Sequence, residues 1–461
     1  MERPERIAPI GSPGLQHPLW RTFLLFLGPM ILANILQSLS GTLNNVFVGQ
    51  MLGTQALAAV AGLFPILFFF ISLVIGVGAG ASVLIGQAWG AHEPHKVKAI
   101  AGTALALGLV LGALVALFGG LFTAAILRVL GTPADVMPVA LGYARVMMLA
   151  MPGLLVFILF TQLLRGVGDT VTPLWALLIS TTVSCVLTPA FIRGWGGLPQ
   201  LGVTSAAAAS IGSFLAALAF LAWSLRRKGH ALAPDRELFR ALRIDPVLLK
   251  LVVKIGLPTG VQMVVISVAE IALLSIVNGY GSSATAAYGA VNQVVNYVQF
   301  PALSIAITAS ILGTQAIGRG APERLRAITR TGMKMTLVIT GALVVLGYVL
   351  SRHLMALFIT SEPVLDLAQQ LLHIMLWSSL VFGCASVLSG VMRASGAVLV
   401  PTAISIFCIL AIEVPSAWGL SHRWGLEGVW MAYPITFAAM LALQTLYYKL
   451  VWKKRKIVRL V

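Results

Sequence analysis

Apolar runs of about twenty residues recur along this chain from Thr22 almost to its end, and no other feature narrows its fold as much. A run of that length can cross the hydrocarbon of a bilayer as a helix. The runs are continuous rather than alternating, which favours helices over a barrel. Hydropathy predicts about twelve spans, near 22–47, 56–89, 99–126, 138–164, 171–192, 203–225, 250–278, 284–317, 328–350, 364–392, 398–420 and 426–450. Composition agrees. The chain is 59% hydrophobic and 10% charged, where a soluble domain carries about 25% charged residues. The first apolar run is too long for the core of a cleaved signal peptide, so none is expected.

A net charge of +17 would suit a nucleic-acid binder, but position decides the matter. With the N-terminus placed inside, every Lys and Arg except Arg128, Arg145, Arg193, Arg352 and Arg423 falls in an inside segment or at its edge. That is the positive-inside pattern, and it predicts a multi-pass inner (plasma) membrane protein with both termini cytoplasmic. Membrane lipids are the expected macroscopic partner, and no nucleic acid is. Cys185, Cys384 and Cys408 lie in apolar spans without a CxxC pair. No His cluster, nucleophile motif or phosphate loop appears, so neither an enzyme nor a cofactor is expected.

The chain also repeats itself. IGQAWGAHEPHKVKAI (85–100) aligns with GTQAIGRGAPERLRAI (313–328) at an offset of 228. The same offset lays LRGVGDTVTP (164–173) on MRASGAVLVP (392–401), and GTQALAA (53–59) on GSSATAA (281–287). Several matches at one offset on equivalent loops indicate duplication. Each copy has six spans, an even number, so both insert the same way up as parallel repeats. The expected organisation is a tail (1–21), an N-lobe (22–225), a cytoplasmic linker (226–249), a C-lobe (250–450) and a basic tail (451–461). In the linker, Leu238, Phe239, Leu242 and Ile244 suggest a short amphipathic helix on the membrane surface.

These stretches, with LGP at 27–29, VFVGQMLGTQALAAVA at 46–61, GLPQLGVTSAAAAS at 197–210 and IGLPTGVQ at 255–262, resemble the multidrug and toxic compound extrusion (MATE) family over nearly the whole chain. The resemblance implies two six-helix bundles in a V shape. It also implies export of varied, often cationic, amphipathic compounds against inward sodium ions or protons. At the position where many bacterial members carry an Asp in span one, this chain has Asn44. Where many have an Asp before the span-five proline, it has Thr188. Neither can release a proton near neutral pH. Span ten has no acid. Members often have a basic residue where Glu413 stands.

Only Glu270 and Glu413 are acids well inside apolar spans. A charge at the bilayer centre costs about 2.5–3.5 kcal/mol, and such residues tend to face a cavity and serve ions, protons or substrate. Glu270 is therefore the leading ion-coupling or substrate residue, and a candidate sodium ligand. A buried Glu hydrogen-bonded to a neighbouring helix is the competing reading. Glu413 sits beside Pro415 and either caps exposed backbone or lines the cleft. Asn44, Thr188, Gln262, Tyr288, Asn292 and Asn296 are the further candidates, Asn292 and Asn296 sharing one helix face. The function read from this set is a secondary antiporter for small organic substrates, working as a monomer. A flippase for a lipid or lipid-linked oligosaccharide is the alternative.

Overall fold

The computed structural model describes residues 18–129 and 131–461, so of the expected tail at 1–21 only the last four residues fall within it. Among the described residues every regular element is helical. The first copy holds α1 (Leu19–Leu52), α2 (Thr54–Gly90), α3 (Pro94–Leu121), α4 (Thr123–Val129), α5 (Met137–Val167), α6 (Val171–Arg193) and α7 (Thr204–Arg227). The linker contains α8 (Arg236–Ala241). The second copy holds α9 (Pro246–Asn278), α10 (Ser282–Gly318), α11 (Arg324–Met335), α12 (Gly341–Val349), α13 (Ser351–Ala356), α14 (Glu362–Leu376), α15 (Ser378–Ala394), α16 (Leu399–Phe407) and α17 (Val414–Leu450). Wider, π-helical turns at Thr336–Thr340 and Cys408–Glu413 join α11 to α12 and α16 to α17.

Among the described residues, eleven helical stretches are long and apolar enough to cross a membrane. The last, Leu399–Lys454, is interrupted where Trp424 and Gly425 leave helical geometry. It makes two crossings, which restores the twelve that hydropathy predicts.

Duplication is visible in the joints as well as in the sequence. Gly53 and Gly281, His92 and Gly320, and Gly168 and Gly396 each stand 228 residues apart, and all six have positive φ. The chain therefore reverses through left-handed residues at the same three places in each copy. His92 (φ 62°) is the one residue of that kind other than glycine among the described residues. Histidine tolerates the left-handed region better than branched residues do.

The helices sort into two compact units. One contains the chain up to Ile31, Trp89–His92 and Val261–Val461; the other contains Leu32–Ala88 and Glu93–Gly260. In the first unit α10 is the central helix, with most of its surface covered by α11, α14 and α15. Gly390 lets the α15 backbone approach α10, since a Cβ there would come 2.4 Å from the Ala306 carbonyl oxygen. Phe23, Phe26 and Leu27 of α1 join Ile305, Ala309 and Leu312 of α10 in one cluster. Thr308 also points its hydroxyl at the Met30 sulfur, 3.8 Å away.

In the second unit α2 crosses the opening half of α9 through two glycine pairs four residues apart, Gly76 and Gly80 against Gly256 and Gly260. A Cβ on Gly256 would lie 2.4 Å from the Gly76 carbonyl oxygen, and one on Gly80 would lie 2.4 Å from the Val252 carbonyl oxygen. Small residues at that spacing let helix backbones touch, which is how helices associate when lipid is as apolar as their side chains. In this unit α3 also packs on α5, and α6 on α7.

The linker helix α8 is clasped to α3. Lys98 of α3 reaches both Asp235 and Glu237, at 2.6 Å each. His95 meets Glu237 at 2.5 Å. The Thr103 hydroxyl donates to the Arg243 carbonyl at 3.2 Å, and Gly102 leaves no room for a side chain against Ala241. Leu238 is buried while Phe239 stays exposed. The amphipathic helix expected on the membrane surface thus docks on protein through ion pairs and one apolar side chain, because a charged Lys98 at the helix start needs acids from the linker. The Lys98 and His95 contacts hold the Glu237 carboxyl below the usual range. Burial alone would push Asp235 up, but Lys98 and the Leu238 backbone N–H outweigh it, and its carboxyl also lies low.

Candidate functional site: a carboxylate pair among aromatics

Glu413 owes its position to Pro415. A proline inside a helix lacks an N–H and collides with the carbonyl four residues back, here that of Ala411. The chain widens into a π turn over Cys408–Glu413, and Glu413 closes that turn. Such turns inside α-helices occur often at functional sites. The side chain is 6% exposed, which makes Glu413 a buried acid inside a membrane-spanning helix.

Glu270 lies on α9 beside a buried stripe formed by Ala269, Leu273 and Val277. It occupies the accessible shoulder of the helix rather than its packed face. Glu270 and Glu413 belong to the same compact unit.

Tyr288 and Tyr433 meet directly, with their oxygens 3.2 Å apart. Tyr288, on α10, is 6% exposed, and Asn292 stands one turn on, half-buried. Trp430 stacks on Tyr288 at 4.9 Å and neighbours Tyr433 at 6.3 Å. It is fully buried, and its indole N–H has no hydrogen-bond partner among the described residues. The structure places six of the sequence candidates, Gln262, Glu270, Tyr288, Asn292, Asn296 and Glu413, in one unit. Sequence reading missed Tyr433 and Trp430. The signal for them was WMAYP (430–434), a pair of aromatics with polar tips one turn apart in an apolar span, which tend to seek a partner when buried.

Asn296 is exposed on α10, one turn beyond Asn292, and Gln262 is half-buried on α9, two turns before Glu270. Asn44 and Thr188 belong to the other unit. Thr188 is fully buried with an unpartnered hydroxyl among the described residues, and the Asn44 side-chain oxygen is likewise unpartnered. No group of three or more His, Cys, Asp or Glu side chains suited to a metal ion occurs among the described residues.

What such an arrangement can do is set by electrostatics. Two carboxylates in an apolar setting are stabilised by a proton or a cation between them. Aromatic faces nearby add attraction for organic cations. The sequence profile of the MatE family matches residues 29–190 and 258–418, one match for each copy. The chain belongs to the MatE family. This MatE protein is 45% identical to the probable multidrug resistance protein YoeA of Bacillus subtilis, over 96% of both chains. It is 25% identical to the FAD transporter of Shewanella oneidensis, over 92% of both. Its fold matches that of a mutant of the Vibrio cholerae MATE transporter VcmN, with a TM-score of 0.87 at 20% identity, covering 95% of this chain and 98% of that one. The family and the fold are those of multi-pass membrane transporters, and the family's function is multidrug efflux.

Proposed function

We propose that this protein is a secondary antiporter that exports amphipathic organic cations in exchange for sodium ions or protons. Glu270 and Glu413 act together as its coupling and substrate site. The observation that carries this reading is that these two intramembrane acids lie in one compact unit with Asn292 and the hydrogen-bonded pair Tyr288 and Tyr433. Among the described acids only these two lie well inside the spans; Glu362, Asp366 and Glu427 sit at helix starts or beside the break at Trp424–Gly425.

In the mechanism, the incoming ion and the outgoing cation compete for the same pair of charges. The ion displaces the drug, and a drug arriving from the other side displaces the ion. Alternation between lobes spanning 22–225 and 250–450, joined by a cytoplasmic linker, would then convert that competition into transport. The positive-inside distribution supports placing both termini in the cytoplasm. Relatives vary in cargo, as the FAD transporter of Shewanella oneidensis shows. The choice of a cationic cargo here rests on the carboxylates, since a flippase for pyrophosphate-linked lipids would need a cationic cleft. The test is equilibrium binding of a fluorescent organic cation to purified protein. Binding should weaken on adding sodium or acid, and be lost in the Glu270→Gln, Glu413→Gln double variant. Binding unchanged in that variant would overturn the reading.

A further inference from the structure

A second feature of the C-terminal half lies away from the carboxylates. The outer face of α17 presents Ala438, Ala442, Leu446 and Leu450 along one exposed stripe, with Leu441 and Thr445 beside it. Ala438 and Ala442 are one turn apart and too small to fill the surface. A groove of about 560 Å³ results, walled on one side by Val381 of α15 and ending at Lys449.

The dimensions of the groove are informative. From Ala438 to Leu450 the helix rises about 18 Å, close to the depth of one leaflet, half of a hydrocarbon core about 30 Å thick. Along that depth the lining is apolar apart from Thr445, and at its end it becomes cationic. Exposed Lys449 is followed by Lys453, Lys454, Arg455 and Lys456, with no acid between them. Trp452 anchors this basic stretch: its indole donates to the Ser395 hydroxyl at 2.9 Å, and it stacks on Tyr448 at 5.1 Å. Lys449 therefore lines the groove, and four more cations follow it directly in the chain around the anchored Trp452.

We infer that this groove binds one anionic phospholipid, an acyl chain lying against Ala438, Ala442 and Leu446 and its phosphate held by Lys449 and the basic residues after it. Charge and depth select that occupant. A neutral apolar compound would leave the cations unused, and a free anion would leave the groove unused. Basic pockets at helix ends commonly take lipid headgroups in this way.

The experiment measures thermal stability of the full-length purified protein in detergent, titrated with phosphatidylglycerol or phosphatidylcholine. Phosphatidylglycerol should raise the melting temperature of the wild type saturably, and phosphatidylcholine should not. Lys449→Gln should weaken the phosphatidylglycerol response about fivefold, the equivalent of about 1 kcal/mol for one basic side chain at an anionic surface. Ala442→Leu, which fills the groove on its exposed side without touching the core, should abolish it. Inorganic phosphate, or phosphatidylglycerol with very short chains, should fail to substitute. Equal stabilisation by phosphatidylcholine, an unaltered response in Ala442→Leu, or full substitution by phosphate would overturn the inference. So would saturable binding of a neutral drug at the groove that phosphatidylglycerol cannot displace.

Discussion

In the first copy α6 runs past Pro189 as a continuous helix, and Thr188 beside that proline offers only a neutral hydroxyl. In the second copy the corresponding helix opens into a π turn before Pro415, and Glu413 occupies it. The same contrast holds between the helices that begin each copy: α1 carries Asn44 where the resemblance leads one to look for an acid, while α9 carries Glu270. Likewise α3 is regular throughout, whereas the path from α11 to α12 contains a π turn at Thr336–Thr340. One frame, duplicated, thus holds uncharged oxygens at Asn44 and Thr188 in the first copy, and acids at Glu270 and at the π turn of Glu413 in the second. The lesson is that duplication preserves joints and packing, which are set by glycines and small residues, more strictly than it preserves the polar groups inside the spans.

The sharpest way to break this contrast is to remove the acids. Glu270→Gln and Glu413→Gln should each abolish gradient-driven efflux while the protein keeps its melting temperature and membrane abundance. Asn44→Ala and Thr188→Val should lower transport by no more than about fivefold, the worth of roughly one ordinary hydrogen bond at about 1 kcal/mol. Drug efflux from proteoliposomes reads all four.

A change at the glycine crossing should come next in size. Gly256→Ala places a methyl 2.4 Å from the Gly76 carbonyl oxygen. Forcing that contact apart should cost about 1–3 kcal/mol, seen as a lower melting temperature in detergent. Gly289→Ala on α10, where a Cβ meets nothing within 4 Å, is the control and should be silent.

The two prolines offer a finer comparison. Pro415→Ala restores the missing N–H and permits the π turn to close, so it should slow efflux by shifting Glu413. Pro189→Ala, in a helix that is already regular, should leave transport nearly unchanged. Equal effects would mean that the π turn has no part in placing the acid.

The smallest effect expected is at the linker clasp. The carboxyls of Asp235 and Glu237 are held low in the folded protein. Their contribution is therefore present above the unfolded carboxylate range of about 4 and is lost as pH falls through their lowered values. The protection of α8 from hydrogen exchange, taken relative to the intrinsic rate at each pH, should fall on acidification below about pH 4 and stay constant between about pH 6 and 8 as far as these two groups are concerned. Lys98→Met should raise exchange of α8 at neutral pH without altering the spans.

Much of this was legible in the sequence, and the physical reasons are specific. Span count follows from hydrophobic length, and even the span boundary hidden in Leu399–Lys454 was marked by the polar residues Ser421, His422, Arg423 and Glu427 around Trp424–Gly425. The duplication was legible because loops keep their glycines. Glu270 and Glu413 stood out because a carboxylate in hydrocarbon is expensive. That they share a unit was not legible, since they are 143 residues apart on helices whose grouping depends on packing. Tyr433 and Trp430 passed as ordinary interior aromatics for the same reason. The glycine pairs at Gly76 and Gly80, and at Gly256 and Gly260, were readable as small residues four apart, but which helix meets which is a property of the fold.

The most direct test is drug efflux from proteoliposomes under an imposed sodium gradient and then an imposed pH gradient, comparing wild type, Glu270→Gln, Glu413→Gln and the Asn44→Ala, Thr188→Val double variant. The account predicts that one gradient or the other drives wild-type efflux, that each glutamine variant is uncoupled from it, and that the first-copy double variant remains coupled. Coupling that survives in both glutamine variants and disappears in the double variant would place the site in the first copy and contradict the account.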